Sequence, residues 1–356
     1  MSATSATPAG SPAPAPDGPR LTGNGRRTAA VIVLVPMIVA LALWAFAWPA
    51  ARTAPHELPV GVAGPAAAAD GAAKQLEARD GAFEVHRYAD EAAARDAIED
   101  RTVYGAVVVT PSGPKLLTAS AAGPVVAQLL TEAVTAGAPE GTQVQTDDVV
   151  AAPAADPRGA ALGASVLPMS IAGVAAGAVV TVLGLRGVRA ALALVATAAA
   201  TGAVAAALTH SWLGVVAGNW WAEAGAFGLA ALAVSATVAG FAALAGPAGI
   251  GVGALLMVLL GNPFSGVSSA PELLPEPAGL IGQWLPPGAG GTLMRSVAFF
   301  DGAGGAGAAV TLGIWAAVGL AAVLIGARTR RSGPTSLAAE SPEAAVRGTQ
   351  QGVSVS

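Results

Sequence analysis

The chain has no cysteine in its 356 residues. Disulfides, thiol catalysis and thiolate metal sites are therefore excluded, and the redox compartment stays open. Charge is also scarce: Asp, Glu, Lys and Arg make up 11% of the sequence, against about 25% in an ordinary soluble domain. No basic tract or aromatic platform offers a surface to nucleic acid. No Gly-x-x-x-x-Gly-Lys-[Ser/Thr] phosphate loop is present, so ATP hydrolysis by that device is not expected. No serine has a recognisable nucleophile context and no cofactor is implied, so the chain reads as a non-enzyme. His56, His86 and His210 are too dispersed for a metal site, and His86 reads as an outward-facing residue of a strand.

What remains is apolar. Hydrophobic residues are 54% of the chain, and the mean hydropathy is +0.61. The placement of charge decides what this means. No acidic or basic residue lies between Arg158 and Arg186, Arg189 and Glu223, Glu223 and Glu272, or Asp301 and Arg328. A helix of about 20 residues crosses the roughly 30 Å bilayer core. A lone charge at its centre costs on the order of 3 kcal/mol. The expected fold is an α-helical polytopic membrane protein with six transmembrane helices and an α/β extracytoplasmic domain between the first and second.

The spans are expected at 28–49, 161–185, 190–209, 224–245, 247–261 and 306–327. Residues 1–27, rich in Ala, Pro and Ser, and the tail 328–356 read as disordered and cytoplasmic. The first apolar run follows Arg26-Arg27 and ends in Trp44 and Trp48, which suit an interfacial belt. At near 20 residues it exceeds the 7–15 of a signal-peptide core, so an uncleaved signal-anchor is the reading preferred. Pro36 is a place for a kink. Arginines cluster before the first span, at 186–189, and after the last at Arg328, Arg330 and Arg331. Six spans put these on one side, which is cytoplasmic by the positive-inside rule. The inserted domain then lies outside the cell membrane.

That domain, 51–160, holds seven basic and fifteen acidic side chains between Arg52 and Asp156. Strands are expected at 58–62 and 83–88, with a helix over 90–101 that Asp90 caps. Further strands are expected at 103–109, 115–118 and 141–150, and a helix at 124–136. Asp147-Asp148 reads as a solvated acidic pair. Alternating strands and helices favour a compact α/β layer.

The connection 262–305 does not suit a plain loop. Pro271, Pro275, Pro277, Pro286 and Pro287 punctuate it, yet 278–285 is apolar with Trp284, and 291–300 is amphipathic around Arg295. Two short helices dipping into the outer leaflet are the preferred reading. An interfacial loop anchored by Trp284 is the alternative. Arg295 and Asp301 are expected as an ion pair that fixes this hairpin. Glu223, beside Trp220-Trp221, reads as a solvated boundary residue. With no other ionisable residue inside a span, a proton- or sodium-coupled transporter is disfavoured. Gly173 with Gly177 has the spacing of close helix contacts, though in a chain with 46 glycines that spacing decides nothing. Gly249, Gly251 and Gly253 are read as permitting movement in the fifth span.

One N-terminal span, a large external domain, five more spans and a proline-punctuated hairpin before the last resemble the membrane subunit of type-2 ABC exporters. More narrowly they resemble the Pip (phage infection protein)-like group. Leu58-Pro59-Val60-Gly61-Val62 is similar to that group's first external strand, and 92–108 to its acidic-Ala helix and following strand. Leu285-Pro286-Pro287-Gly288-Ala289 and 295–302 resemble its outer hairpin. The resemblance implies a permease in the plasma membrane, paired with itself or another membrane subunit, that exports a lipophilic or envelope substrate with a separate ATPase. Arg186 and Arg189 are the expected docking turn for that ATPase. The competing reading is a membrane-anchored receptor or envelope scaffold whose external domain binds a ligand or protein.

Overall fold

A computed structural model describes residues 23–111, 113–138 and 143–329. The expectations for 1–22 and for 330–356 lie outside the described residues. Helix α1 runs Gly23–Ala51 without a break at Pro36. Residues 23–27, expected as disordered, are its first turn, because the Gly-Arg-Arg-Thr segment leads directly into an apolar run. The described residues up to Trp48 form one compact unit, and those from Pro49 another. Trp44 and Trp48, one turn apart on the same helix face, stack with ring centroids 5.4 Å apart.

From Leu58 a five-stranded mixed sheet forms in the order β2-β1-β3-β4-β5. Its strands are β1 (Leu58–Ala63), β2 (Phe83–Tyr88), β3 (Gly105–Thr110), β4 (Gly113–Thr118) and β5 (Gln145–Asp148). β1 pairs parallel with β2 and β3, β3 antiparallel with β4, and β4 parallel with β5. Both faces are covered, so the inner strands read as continuous apolar runs. Leu58, Val60, Val62, Val107 and Leu116 point to one core, and Ala63, Ala106, Val108 and Leu117 to the other.

Helices α2 (Ala66–Glu77) and α4 (Pro124–Gly137) cover the first face. Helix α3 (Glu91–Glu99) covers the second. The Asp90 carboxylate caps α3 as expected, accepting from the Ala93 N–H at 2.9 Å. Helix α2 was not foreseen, although Ala69, Ala73 and Leu76 mark its buried stripe.

Asp147 is not simply solvated. Its carboxylate and that of Glu91 alternate with Arg95 and Lys115 in a four-member ring. Lys115 Nζ lies 2.7 Å from Glu91 and 3.3 Å from Asp147, while Arg95 lies 2.8 Å from Asp147 and 3.3 Å from Glu91. The hydrogen bond from Lys115 chiefly holds the Glu91 pKa below the ordinary carboxylate value, and that from Arg95 does the same for Asp147. Carboxylates with depressed pKa values stabilise the fold above their unfolded value of about 4 and lose that contribution as pH falls through the folded value. Thermal unfolding should therefore worsen as pH drops below about 4. A Glu91→Gln, Asp147→Asn variant should show a flatter acid limb. Exposed pairs are each worth only about 0.2–1 kcal/mol, so the difference should be modest.

The rest of the chain is helical. Asp156 caps the start of α5 (Ala160–Val182), accepting from the N–H groups of Ala160 at 2.9 Å and Ala161 at 2.8 Å. Then follow α6 (Gly187–Ala206), continued by a π-helical turn over Ala207–Trp212, and α7 (Trp220–Ala245). Next come α8 (Pro247–Ala254), continued as a π-helix over Leu255–Gly261, the short helices α9 (Ala278–Trp284) and α10 (Pro286–Phe299), and α11 (Ala306–Thr329).

Helix α7 is central, packing against α5, α6, α8, α10 and α11. Small residues permit these approaches. A Cβ on Gly177 would stand 2.6 Å from the Ser235 carbonyl oxygen, and one on Gly173 2.7 Å from Val234. The glycine spacing that decided nothing in sequence therefore marks a real crossing of α5 and α7. Gly249 and Gly253 likewise seat α8 against the backbone of Phe241 and Val238, while Gly251 faces open space. Two of the three glycines read as permitting movement are occupied by close packing.

Among the described residues five helices are long and apolar enough to cross a membrane: Gly25–Ala51, Ala160–Val182, Gly187–Trp212, Trp220–Ala245 and Ala306–Ala327. The expected fifth span, Pro247–Gly261, is an apolar helix too short to join them. It starts only at Pro247 after the Gly246 turn and breaks off at Asn262, giving at most about 22 Å at 1.5 Å per residue.

Candidate functional site at the junction of sheet and hairpin

The α/β layer and the 262–305 segment are built into each other. Leu273, in a 3-10 turn at Pro271–Leu273, is fully buried in the first sheet core together with Ala270. Phe300, at the end of α10, is buried in the second. The irregular stretch leading into β1 is tied to the same turn: the N–H of Ala54 donates to the Leu273 carbonyl at 3.0 Å, and that of His56 to the Glu272 carbonyl at 2.8 Å. The Tyr104 hydroxyl donates to Glu272 Oε2 at 2.8 Å, and Arg101 Nη1 to the Thr292 carbonyl at 3.2 Å. Arg101 also lies over the Phe300 ring, 5.3 Å from its centroid. Burial raises the Tyr104 pKa, and the neighbouring Glu272 charge pushes the same way, so the phenol stays a donor at any ordinary pH.

Between the two layers lies a cavity of about 190 Å³, bounded by Arg101, Tyr104, Glu272, Gln283, Thr292 and Arg295 among others. Gln283 and Thr292 are fixed in its wall. Thr292 Oγ1 donates to Gln283 Oε1 at 2.7 Å, and Gln283 Nε2 donates to the Ser265 carbonyl at 2.9 Å.

The expected ion pair of Arg295 with Asp301 does not form among the described residues. Arg295 is buried and donates from Nη2 to the Val267 carbonyl at 2.8 Å. Asp301 sits exposed in the turn after α10, with a backbone φ of 48°. The side chains part because Arg295 lies on the inward face of α10, about one turn before the helix ends at Phe299.

Glu223 is a second correction. It is fully buried in the first turn of α7, which Asn219 caps. It accepts from the Gly218 N–H at 2.8 Å and lies 3.0 Å from His210 Nδ1. The π-helical turn swings His210 over the carboxylate, which the sequence had suggested would face water. At this end of the long helices, where a solvated carboxylate was expected, Glu223 is therefore buried and paired with His210.

Among the described residues no group of three or more His, Asp or Glu is placed to hold a metal. Asp148 is taken up by Ser120, accepting from its N–H at 2.9 Å and its hydroxyl at 2.5 Å. His86 lies beside Glu84 in β2. Trp284 is exposed, as an interfacial anchor would be, and its carbonyl accepts from Trp315 Nε1 at 2.8 Å.

Helix α5 relates the two ends of the bundle. Its start touches the sheet layer, where Gly159 lies against Pro124, and its end leads into the 183–189 turn. There Arg186 and Arg189 line a hollow of about 550 Å³ with Leu324 and Ala327 of α11. The junction and the arginine turn are thus at opposite ends of a 23-residue helix, about 34 Å apart along its axis.

Several membrane-length helices joined to a small mixed sheet define a membrane-associated chain of the kind expected for a polytopic protein. Comparison with protein-family models, with curated proteins and with solved structures finds no match.

Proposed function

We propose that the chain is the permease subunit of an ABC-type exporter, resident in the plasma membrane and served by a separate ATPase. The observation that carries this reading is the construction of the junction. An α/β layer shares both of its cores with a helical hairpin, and that hairpin packs through α10 on the central helix α7. A displacement of the bundle is thereby felt by the outer layer, as export from a membrane requires. A purely anchoring scaffold has no need of this coupling.

In this reading the sheet layer is extracytoplasmic and both termini are cytoplasmic, with the arginine turn on the cytoplasmic face. The Pro247–Gly261 helix completes a sixth crossing, its shortfall in length made up by the hairpin α9–α10 dipping into the outer leaflet. Its substrate is a lipophilic or cell-envelope molecule, for which the apolar crevice lined by Met169, Phe227, Val234 and Met294 between α5, α7 and α10, about 30 Å³ in volume, would have to open. The subunit pairs with itself or with a second membrane subunit, and Arg186 and Arg189 receive the ATPase.

The buried Glu223, paired with a partly exposed His210, weakens the sequence argument against ion coupling, so the test addresses ATP directly. Affinity purification of the full chain from its native membrane should bring down a nucleotide-binding protein, with ATP turnover stimulated by the pair. An Arg186→Ala, Arg189→Ala variant should lose most of that stimulation while keeping its melting temperature. Recovery of the chain without any nucleotide-binding protein, under conditions that retain other membrane partners, would sink the proposal.

A further inference from the structure

The cavity between the sheet and the hairpin has an electrostatic imbalance. Three charged residues line it: Arg101, Glu272 and Arg295. Glu272 accepts from Tyr104, and among the described residues it makes no ion pair with either arginine. Arg295 is only 5% exposed, and its Nε–H has no hydrogen-bond partner. Burying a guanidinium without a paired anion, and with a donor unmet, is costly. Proteins seldom keep such an arrangement unless something supplies the missing acceptor. The neighbouring polar groups do not supply it: Thr292 donates to Gln283, and Gln283 to the Ser265 carbonyl.

We propose that this cavity is a binding site for a phosphate-type oxyanion carrying a single net negative charge. Two arginines against one carboxylate leave a net charge of +1 on the wall, which one such group neutralises. Guanidinium groups offer fixed forks of N–H donors suited to phosphate oxygens. Arg295 supplies the Nη1 donors not used by Val267, and Arg101 the donors not given to Thr292. The volume of about 190 Å³ is several times the ~30 Å³ share of a liquid water, so a phosphate group enters with some of its hydration. The same chemistry is presented by the phosphodiester of an anionic lipid or by free phosphate. The site does not depend on the chain being a transporter.

The test uses the full chain purified in a neutral detergent and stripped of anionic lipid. Its thermal unfolding is followed against inorganic phosphate, with chloride and acetate at matched ionic strength. A parallel series uses nanodiscs of phosphatidylcholine with and without phosphatidylglycerol. Stabilisation by phosphate in detergent identifies the free anion as sufficient. Stabilisation by phosphatidylglycerol alone identifies a lipid headgroup. In either case Arg295→Lys, which keeps the charge but removes the planar guanidinium fork, should weaken the apparent affinity about tenfold, as loss of one charge-assisted hydrogen bond implies. Arg101→Gln should do the same, and Arg158→Gln on the exposed linker should not. No stabilisation in either series, an equal response to acetate, or an unchanged response in both arginine variants would overturn the proposal. Should Arg295→Lys fail to fold, Arg101→Gln at the half-buried position decides the matter.

Discussion

Leu273→Ala is expected to destabilise the whole segment from Pro49 onward, by about 2–5 kcal/mol. The side chain is completely buried, so its removal loses apolar burial and leaves a cavity that rigid strands can only partly fill. The prediction has more content than a generic core mutation. Leu273 belongs by sequence to the connection between the last two apolar helices, yet it packs with Leu58, Val60 and Leu116 of the sheet. Thermal unfolding should therefore shift in one cooperative step, and protease sites in the sheet layer and in the hairpin should open together. Leu280→Ala, seven residues further on but 68% exposed, serves as the control and should change little. A Leu273→Ala protein that loosens the hairpin and leaves the sheet layer untouched would show that the two are separate units.

The second large effect is expected at the crossing of α5 and α7. Gly177→Leu must push aside backbone, because even the first added carbon would meet the Ser235 carbonyl at 2.6 Å and Val238 at 2.9 Å. Overpacking of this kind costs about 1–3 kcal/mol where side chains can adjust, and more where backbone must move. Helix α7 cannot retreat, being packed against five other helices. A marked fall in the melting temperature in detergent, with loss of monodisperse protein on gel filtration, is the expected result. Gly251→Leu adds the same bulk where nothing lies within 4 Å and should be close to neutral. Similar behaviour of the two variants would remove the close-packing account of these glycines.

The fused cores also alter how the receptor reading should be tested. Deleting residues 58–150 would strip Ala270, Leu273 and Phe300 of their cover. Loss of all function would then report an exposed apolar surface and not a missing ligand site. Point variants such as Arg101→Gln separate these outcomes; the deletion does not.

What could be read from the sequence was local. Alternation in Phe83–Tyr88 and the apolar run before Thr110 marked strands β2 and β3, and Asp90 marked the start of α3. The charge-free intervals marked the long helices, with ends displaced by a few residues. Helix α2 went unseen because alanines give little contrast between its faces. The junction was not legible at all: Tyr104 and Glu272 are 168 positions apart, and Arg101 and Thr292 are 191 apart. Pattern rules operate over one or two turns and cannot bring such residues together. Arg295 was singled out correctly as unusual, but helical phase, which turns it inward, outweighed its closeness in sequence to Asp301. Glu223 was misjudged because the π-helical turn that carries His210 over it has no sequence signature.

In the proposed permease the sheet layer and the 183–189 turn lie on opposite sides of a membrane. The absence of native cysteine makes this directly measurable. Single variants Glu99→Cys, at an exposed position on the sheet layer, and Leu183→Cys, at the exposed end of α5, would be treated with a membrane-impermeant maleimide in intact cells. Labelling of Glu99→Cys before permeabilisation, and of Leu183→Cys only after it, is the predicted result. Labelling of both in intact cells, or the reverse order, would contradict the account.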